Sequence, residues 1–113
     1  MTHQETTFGE LLAKLDGYSW THFVYMSDPR SPDLDSACII VDSDEAELGT
    51  DNFTPLIAEQ LGLLEFLSIH DLQSVREYLG NLGIKDDRRK ELFACRYYFE
   101  RDAYPSKADL EAQ

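Results

Sequence analysis

Two runs rich in β-branched and aromatic residues, SWTHFVYM (19–26) and SACIIVD (36–42), flank the segment SDPRSPDLD, which holds two prolines. Nothing else in the chain constrains its fold as tightly. Prolines at both of those places keep helix and ladder out of residues 27–35, so the connection is a loop. Two strands joined by a loop pair most simply as antiparallel neighbours. The second run contains ACIIV, the longest unbroken apolar stretch, which reads as a buried strand and is far too short to span a bilayer.

The remaining patterns are helical. In TTFGELLAKLDG, Thr7 and Glu10 fit a capping box, Phe8, Leu11, Leu12 and Leu15 form one stripe, and Gly17 stands as C-cap. Thr54-Pro55 reads as an N-cap followed by an N1 proline, opening a short helix PLIAEQLG. LLEFLSI (63–69) fits either a third strand or the lead-in to a helix. HDLQSVREYLG reads as a helix with Leu72, Val75 and Leu79 inward and Gly80 near its end. DDRRKELFACRYYFERDAY reads as the longest helix, started by Asp86 or Asp87. The order αββα(β)αα indicates an α+β fold, a short antiparallel sheet of two or three strands packed with about four helices. At 113 residues the chain is expected to be one domain, 1–113, large enough for a core without staples.

Charge is the other strong signal. Apolar residues make up 42% and aromatics 12%, too rich for a disordered chain despite a net charge of −12. From Leu15 to Val75 there are twelve acids and one base, Arg30, a balance of −11, whereas the rest of the chain is nearly neutral at −1. Five of those acids, Asp42, Asp44, Glu45, Glu47 and Asp51, fall in VDSDEAELGTDN (41–52) with no Lys or Arg among them. A field this lopsided repels nucleic acid and anionic membrane and steers basic partners inward. The plainer reading is an acidic surface that aids solubility. Confinement to one region favours a binding face, and a loop leaving a strand is where such residues sit.

The catalytic and metal motifs are missing. Asp42 and Asp44 occupy the first and third places of an EF-hand-like loop, but Ala46 and Glu47 stand where a ligand and a glycine are needed. His3, His22 and His70 are scattered, and His22 beside Phe23 reads as a partly buried sheet residue. Cys38 and Cys95, in apolar company, read as inert core thiols rather than nucleophiles or a disulfide framework. No Walker A, GxGxxG or GxSxG pattern occurs. The expectation is a protein that is not an enzyme and uses no cofactor or metal. The basic run DDRRK (86–90) is flanked by acids and reads as a solvated helix start, not a nucleic-acid patch. On the last helix Phe93, Tyr97 and Arg101 share one face and Leu92, Cys95 and Phe99 another, most of these rings being core. Tyr98 and Tyr104 are the surface aromatics expected there. MTHQETTFGE has neither a basic n-region nor an apolar h-region, so it does not read as a signal peptide, and the expectation is a reduced, cytoplasmic protein.

The C-terminal stretch ELFACRYYFERDAY, placed after LEFLSIHDLQSVREYL, resembles small bacterial proteins whose helix ends in a Tyr-Tyr-x-x-Asp-Ala-aromatic pattern. Here Tyr97, Tyr98, Asp102, Ala103 and Tyr104 carry it at a slightly longer spacing, and the resemblance covers roughly residues 18 to 106. These proteins are similar to immunity proteins of contact-dependent growth inhibition and other polymorphic toxin systems. The resemblance implies a cytoplasmic antitoxin-like inhibitor of a toxin's nuclease domain, without activity of its own. It has no catalytic motif to carry over.

Nuclease active sites hold phosphates and are basic, so carboxylates presented there substitute for the nucleic-acid backbone, as in the barnase–barstar pair. The expected contact residues are Asp33, Asp35, Asp42, Asp44, Glu45, Glu47, Asp51 and Tyr25. The expected partner is a cognate toxin C-terminal domain in a 1:1 complex with a monomer, with neither nucleic acid nor membrane bound directly. Trp20 and Tyr25 are either contact rings or core, core being the commoner fate of a strand Trp. The alternative from another class is an acidic adaptor or nucleic-acid mimic that binds a basic host protein.

Overall fold

A computed structural model describes residues 3–42 and 44–113. Within them lie four strands, β1 (His3–Thr7), β2 (His22–Met26), β3 (Ala37–Asp42) and β4 (Leu64–Ser68). Five helices accompany them, α1 (Phe8–Ala13), α2 (Leu56–Leu61), α3 (Ile69–Asn81), α4 (Arg88–Arg101) and α5 (Lys107–Glu111), with a 3-10 turn at Leu15–Gly17. The strands form one antiparallel sheet in the order β1-β3-β2-β4. The α+β fold is the one expected, with one strand and one helix more than the pattern indicated.

β2 and β3 pair as the Pro-containing connection requires, in a register running from His22 opposite Asp42 to Met26 opposite Cys38. β1 was not anticipated. HQETT carries no apolar alternation, and it joins the sheet as an edge strand by pairing its backbone with β3, Thr7 opposite Ala37. Residues 63–69 take both of the roles open to them in turn. Leu64–Ser68 pairs with β2, and Ser68 then caps α3, exchanging bonds of 3.0 and 3.2 Å with Asp71.

Two helix starts differ from expectation. At α1 the Thr7 hydroxyl accepts from the Glu10 N–H at 3.3 Å, but the Glu10 carboxylate lies 3.8 Å from Lys14. That helix ends at Ala13 with Lys14 rather than Gly17 as its C-cap, and Gly17 instead closes the 3-10 turn Leu15–Gly17. At α2 the cap is Pro55, not Thr54, because the Thr54 hydroxyl donates to Asp51 at 2.6 Å instead. α2 closes on Gly62 at φ +68, a left-handed conformation that glycine adopts without strain. α4 begins at Asp87, whose carboxylate accepts from the Lys90 N–H at 3.1 Å.

The sheet is covered on both faces. Val24, Met26, Cys38, Ile40 and Phe66 meet Phe8, Leu11, Leu12 and Leu15 together with Leu72, Val75, Leu79 and Cys95 in the main core. On the opposite face Tyr25, Ile39 and Val41 pack with Ala58 of α2. Burial on both sides is why ACIIV shows no polar alternation. Each fully buried Leu or Ile contributes roughly 1.5–3 kcal/mol. Trp20 is not in either cluster. It is 63% exposed, because it lies in the turn before β2 and so has no place in the strand's alternation.

Candidate interaction surface

The connection from β3 to α2 is the acidic segment, and it is a braced hairpin rather than a slack loop. Asp42 Oδ1 accepts from the Asp44 N–H at 3.0 Å, and the Asp42 carbonyl accepts from the Ala46 N–H at 2.9 Å. The chain then runs out and back on itself. Leu48 bridges Pro55, the Leu56 N–H donates to the Glu47 carbonyl at 2.7 Å, and the Gly49 N–H donates to the Thr54 carbonyl at 2.7 Å.

Two carboxylates hold the tip. Asp51 Oδ1 accepts from the N–H groups of Phe53 and Thr54 at 2.9 and 2.7 Å, while its Oδ2 takes the Thr54 hydroxyl. Those bonds, the hydroxyl first, hold the Asp51 carboxyl below its ordinary range. Glu59 Oε2, reaching from α2, accepts from the Thr50 N–H at 2.9 Å and its hydroxyl at 3.2 Å. Gly49 packs so closely on this carboxylate that a Cβ would collide with it.

This geometry divides the expected contact residues. Asp42, Asp44, Glu45, Glu47 and Asp51 share the β3–α2 connection. Asp33 and Asp35 lie in the β2–β3 connection, at the other end of β3, roughly 17 Å away by strand rise. Asp33 is engaged in its own turn, accepting from the Asp35 N–H at 2.8 Å. Asp42 and Asp51 are likewise tied into turns, and Asp42 Oδ2 lies 3.6 Å from His22 Nε2. Asp35, Asp44, Glu45 and Glu47 are exposed. Tyr25 departs from its expected role as a contact ring. It is 4% exposed and donates to Glu65 at 3.4 Å. Burial, then the charges of Glu65 and Asp51, push its phenol up to about 12.

Other residues on the surface were not anticipated. Phe53, at the hairpin tip, is 84% exposed, and Leu48 on the same hairpin is 46% exposed. Leaving Phe53 in water forgoes roughly 1.5–3 kcal/mol of burial. Its sequence setting, a lone aromatic between Asn52 and Thr54-Pro55 with no periodic partner, was the available signal. Tyr104 is partly exposed as expected of a surface aromatic, but it stacks on Tyr78 and Tyr98 at 4.5 and 5.3 Å. The Tyr98 ring packs against the main core.

The chemistry available elsewhere is limited. Both cysteines are buried, and burial pushes the Cys38 thiol up to about 12 and the Cys95 thiol further in the same direction. Among the described residues no group of three or more His, Cys, Asp or Glu is placed to hold a metal ion, and no helix is long and apolar enough to cross a membrane. A cleft of about 330 Å³ beside α3 has Arg76, Arg88 and Glu91 in its wall, but these charges bond one another.

Sheet, helices and hairpin together define a small α+β domain that displays an acidic, aromatic-tipped projection. Residues 5–106 match the profile of a family described as a domain of unknown function (DUF7716), and the chain belongs to that family. No curated protein and no solved structure matches the chain.

Proposed function

We propose that the protein is an immunity-type inhibitor that binds and neutralises the nuclease domain of a cognate bacterial toxin in the cytoplasm, acting by occupancy rather than turnover. The observation that carries this reading is the braced hairpin. It presents Asp44, Glu45 and Glu47 beside an 84% exposed Phe53 on backbone tied down by Asp51 and Glu59. A pre-ordered projection loses little entropy on docking. Its carboxylates suit a phosphate-binding cleft, and its ring suits an apolar pocket at the centre of the contact. Buried thiols with raised pKa values favour binding over nucleophilic catalysis. Asp44, Glu45, Glu47 and Phe53 form the proposed contact, with Asp42 and Asp51 positioning them.

The test is to read the neighbouring gene, express the toxin-like nuclease domain that this reading requires there, and assay its nucleic-acid cleavage with and without the chain. Stoichiometric 1:1 inhibition, weakened by Phe53→Ala and by charge removal at Asp44, Glu45 and Glu47, is expected. Unchanged cleavage at saturating inhibitor sinks the reading. Tight capture of a basic host protein instead would make the chain an acidic adaptor.

A further inference from the structure

We infer that the exposed indole of Trp20 is a docking point for an arginine side chain of a basic partner. This rests on the basic partner proposed above and adds where, on this chain, one of its guanidinium groups sits. Trp20 is the single tryptophan of the chain and is 63% exposed. Its backbone is held, because its carbonyl accepts from the His70 N–H at 3.2 Å and the hydroxyls of Ser19 and Thr21 bond across it at 2.9 Å. The His70 ring lies 6.0 Å from the indole and steeply inclined to it, at 70°. One imidazole covers only part of an indole, and the remainder faces water.

The position is electrostatically one-sided. Trp20 stands two residues before His22, which sits opposite Asp42 in the β2–β3 register. The turn that carries Trp20 is therefore at the end of the sheet where the acidic connection leaves β3. Arg30, the only Lys or Arg between residues 15 and 75, lies in the connection at the opposite end. A tryptophan face is the strongest aromatic partner for a cation, a guanidinium stacks flat on it, and the acids at this end of the sheet draw the same charge inward. A purely apolar partner would cover the same ring but gain nothing from the acidic field at this end of the sheet.

The experiment uses the full chain and a nine-arginine peptide as probe at low ionic strength. Trp20 emission and titration calorimetry are read in parallel. A saturable change in emission tracking the heat is expected, weakened by Asp44→Asn with Glu45→Gln. Trp20→Leu, checked for folding by circular dichroism, should lower the affinity about two- to five-fold, and Trp20→Phe should restore part of it. Binding by calorimetry with constant emission, or equal affinity for Trp20→Leu and the parent, overturns the inference while leaving the inhibitor reading intact. No binding at all overturns the inference and removes support for a basic partner. Peptide binding as expected beside nuclease cleavage that the parent chain leaves unchanged overturns the inhibitor reading alone.

Discussion

Arg76 holds both oxygens of Glu91, Nε to Oε2 at 2.6 Å and Nη2 to Oε1 at 2.9 Å, joining α3 to α4. The same Nη2 donates to the Leu12 carbonyl at 2.7 Å, and Arg88 adds a third bond to Glu91 at 3.1 Å. Glu91 is 3% exposed, so this carboxylate relies entirely on those cations. The bond to Glu91 raises the Arg76 pKa against the opposing effect of burial. Arg76→Ala leaves the buried carboxylate with one partner and should cost about 3 kcal/mol, measured by urea unfolding. Glu91→Gln, which keeps acceptor and shape, should cost less than Glu91→Ala.

Loosening the hairpin should be a local event. Asp51→Ala frees the N–H groups of Phe53 and Thr54, and Gly49→Ala drives a Cβ into the Glu59 carboxylate that holds Thr50. Both variants should exchange the amide protons of Thr50, Phe53 and Thr54 severalfold faster, with those of β2 and β3 unchanged. Slower or uniform exchange would show that the tip is not held by these bonds.

Acid should reproduce that loosening. The Asp51 carboxyl is lowered from 3.8 in the folded chain, so its bracing is complete above that value and is lost as pH falls through the lowered one. Amide shifts of Phe53 and Thr54 followed by NMR should titrate below pH 3.8, and Asp51→Asn should abolish the step.

Alkali acts on the core. Cys38 and Tyr25 are each pushed up to about 12, from ordinary values of 9.0 and 10.0. A raised folded pKa means that stability is full below the unfolded value and falls as pH climbs toward the folded one. Unfolding free energy should therefore decline between pH 9 and 12, less steeply in Cys38→Ala. Iodoacetamide at pH 8 should label neither thiol until denaturant is added. Rapid labelling of the native protein would contradict the burial of both thiols.

Association with the toxin should be governed by salt. The Debye length shrinks from about 30 Å at 0.01 M to about 8 Å at 0.15 M, so the on-rate should fall strongly across that range. Asp44→Ala, Glu45→Ala and Glu47→Ala should act mainly on this rate, whereas Phe53→Ala should raise the off-rate and cost about 1 kcal/mol or more. Stopped-flow mixing separates the two. An on-rate indifferent to salt would reduce the acidic stretch to a solubilising surface.

Local chemistry in the sequence was sufficient for much of this molecule. The two β-rich runs around Pro29 and Pro32 and the start of the last long helix, expected at Asp86 or Asp87 and found at Asp87, depend on residues a few positions apart. So does the stripe Phe8, Leu11, Leu12 and Leu15, which is buried as expected although the helix stops at Ala13. Tertiary structure decided what depends on distant partners. β1 is polar and becomes a strand only because β3 offers it backbone groups. ACIIV announced burial on two faces, but not that the acidic connection and α2 would provide the second cover. That cover buried Tyr25, while the turn before β2 left Trp20 in water. The acids were legible as a cluster. Which of them brace turns, as Asp42 and Asp51 do, and which stand free, as Asp44 and Glu47 do, was settled by backbone N–H groups that acquire their positions only when the hairpin closes.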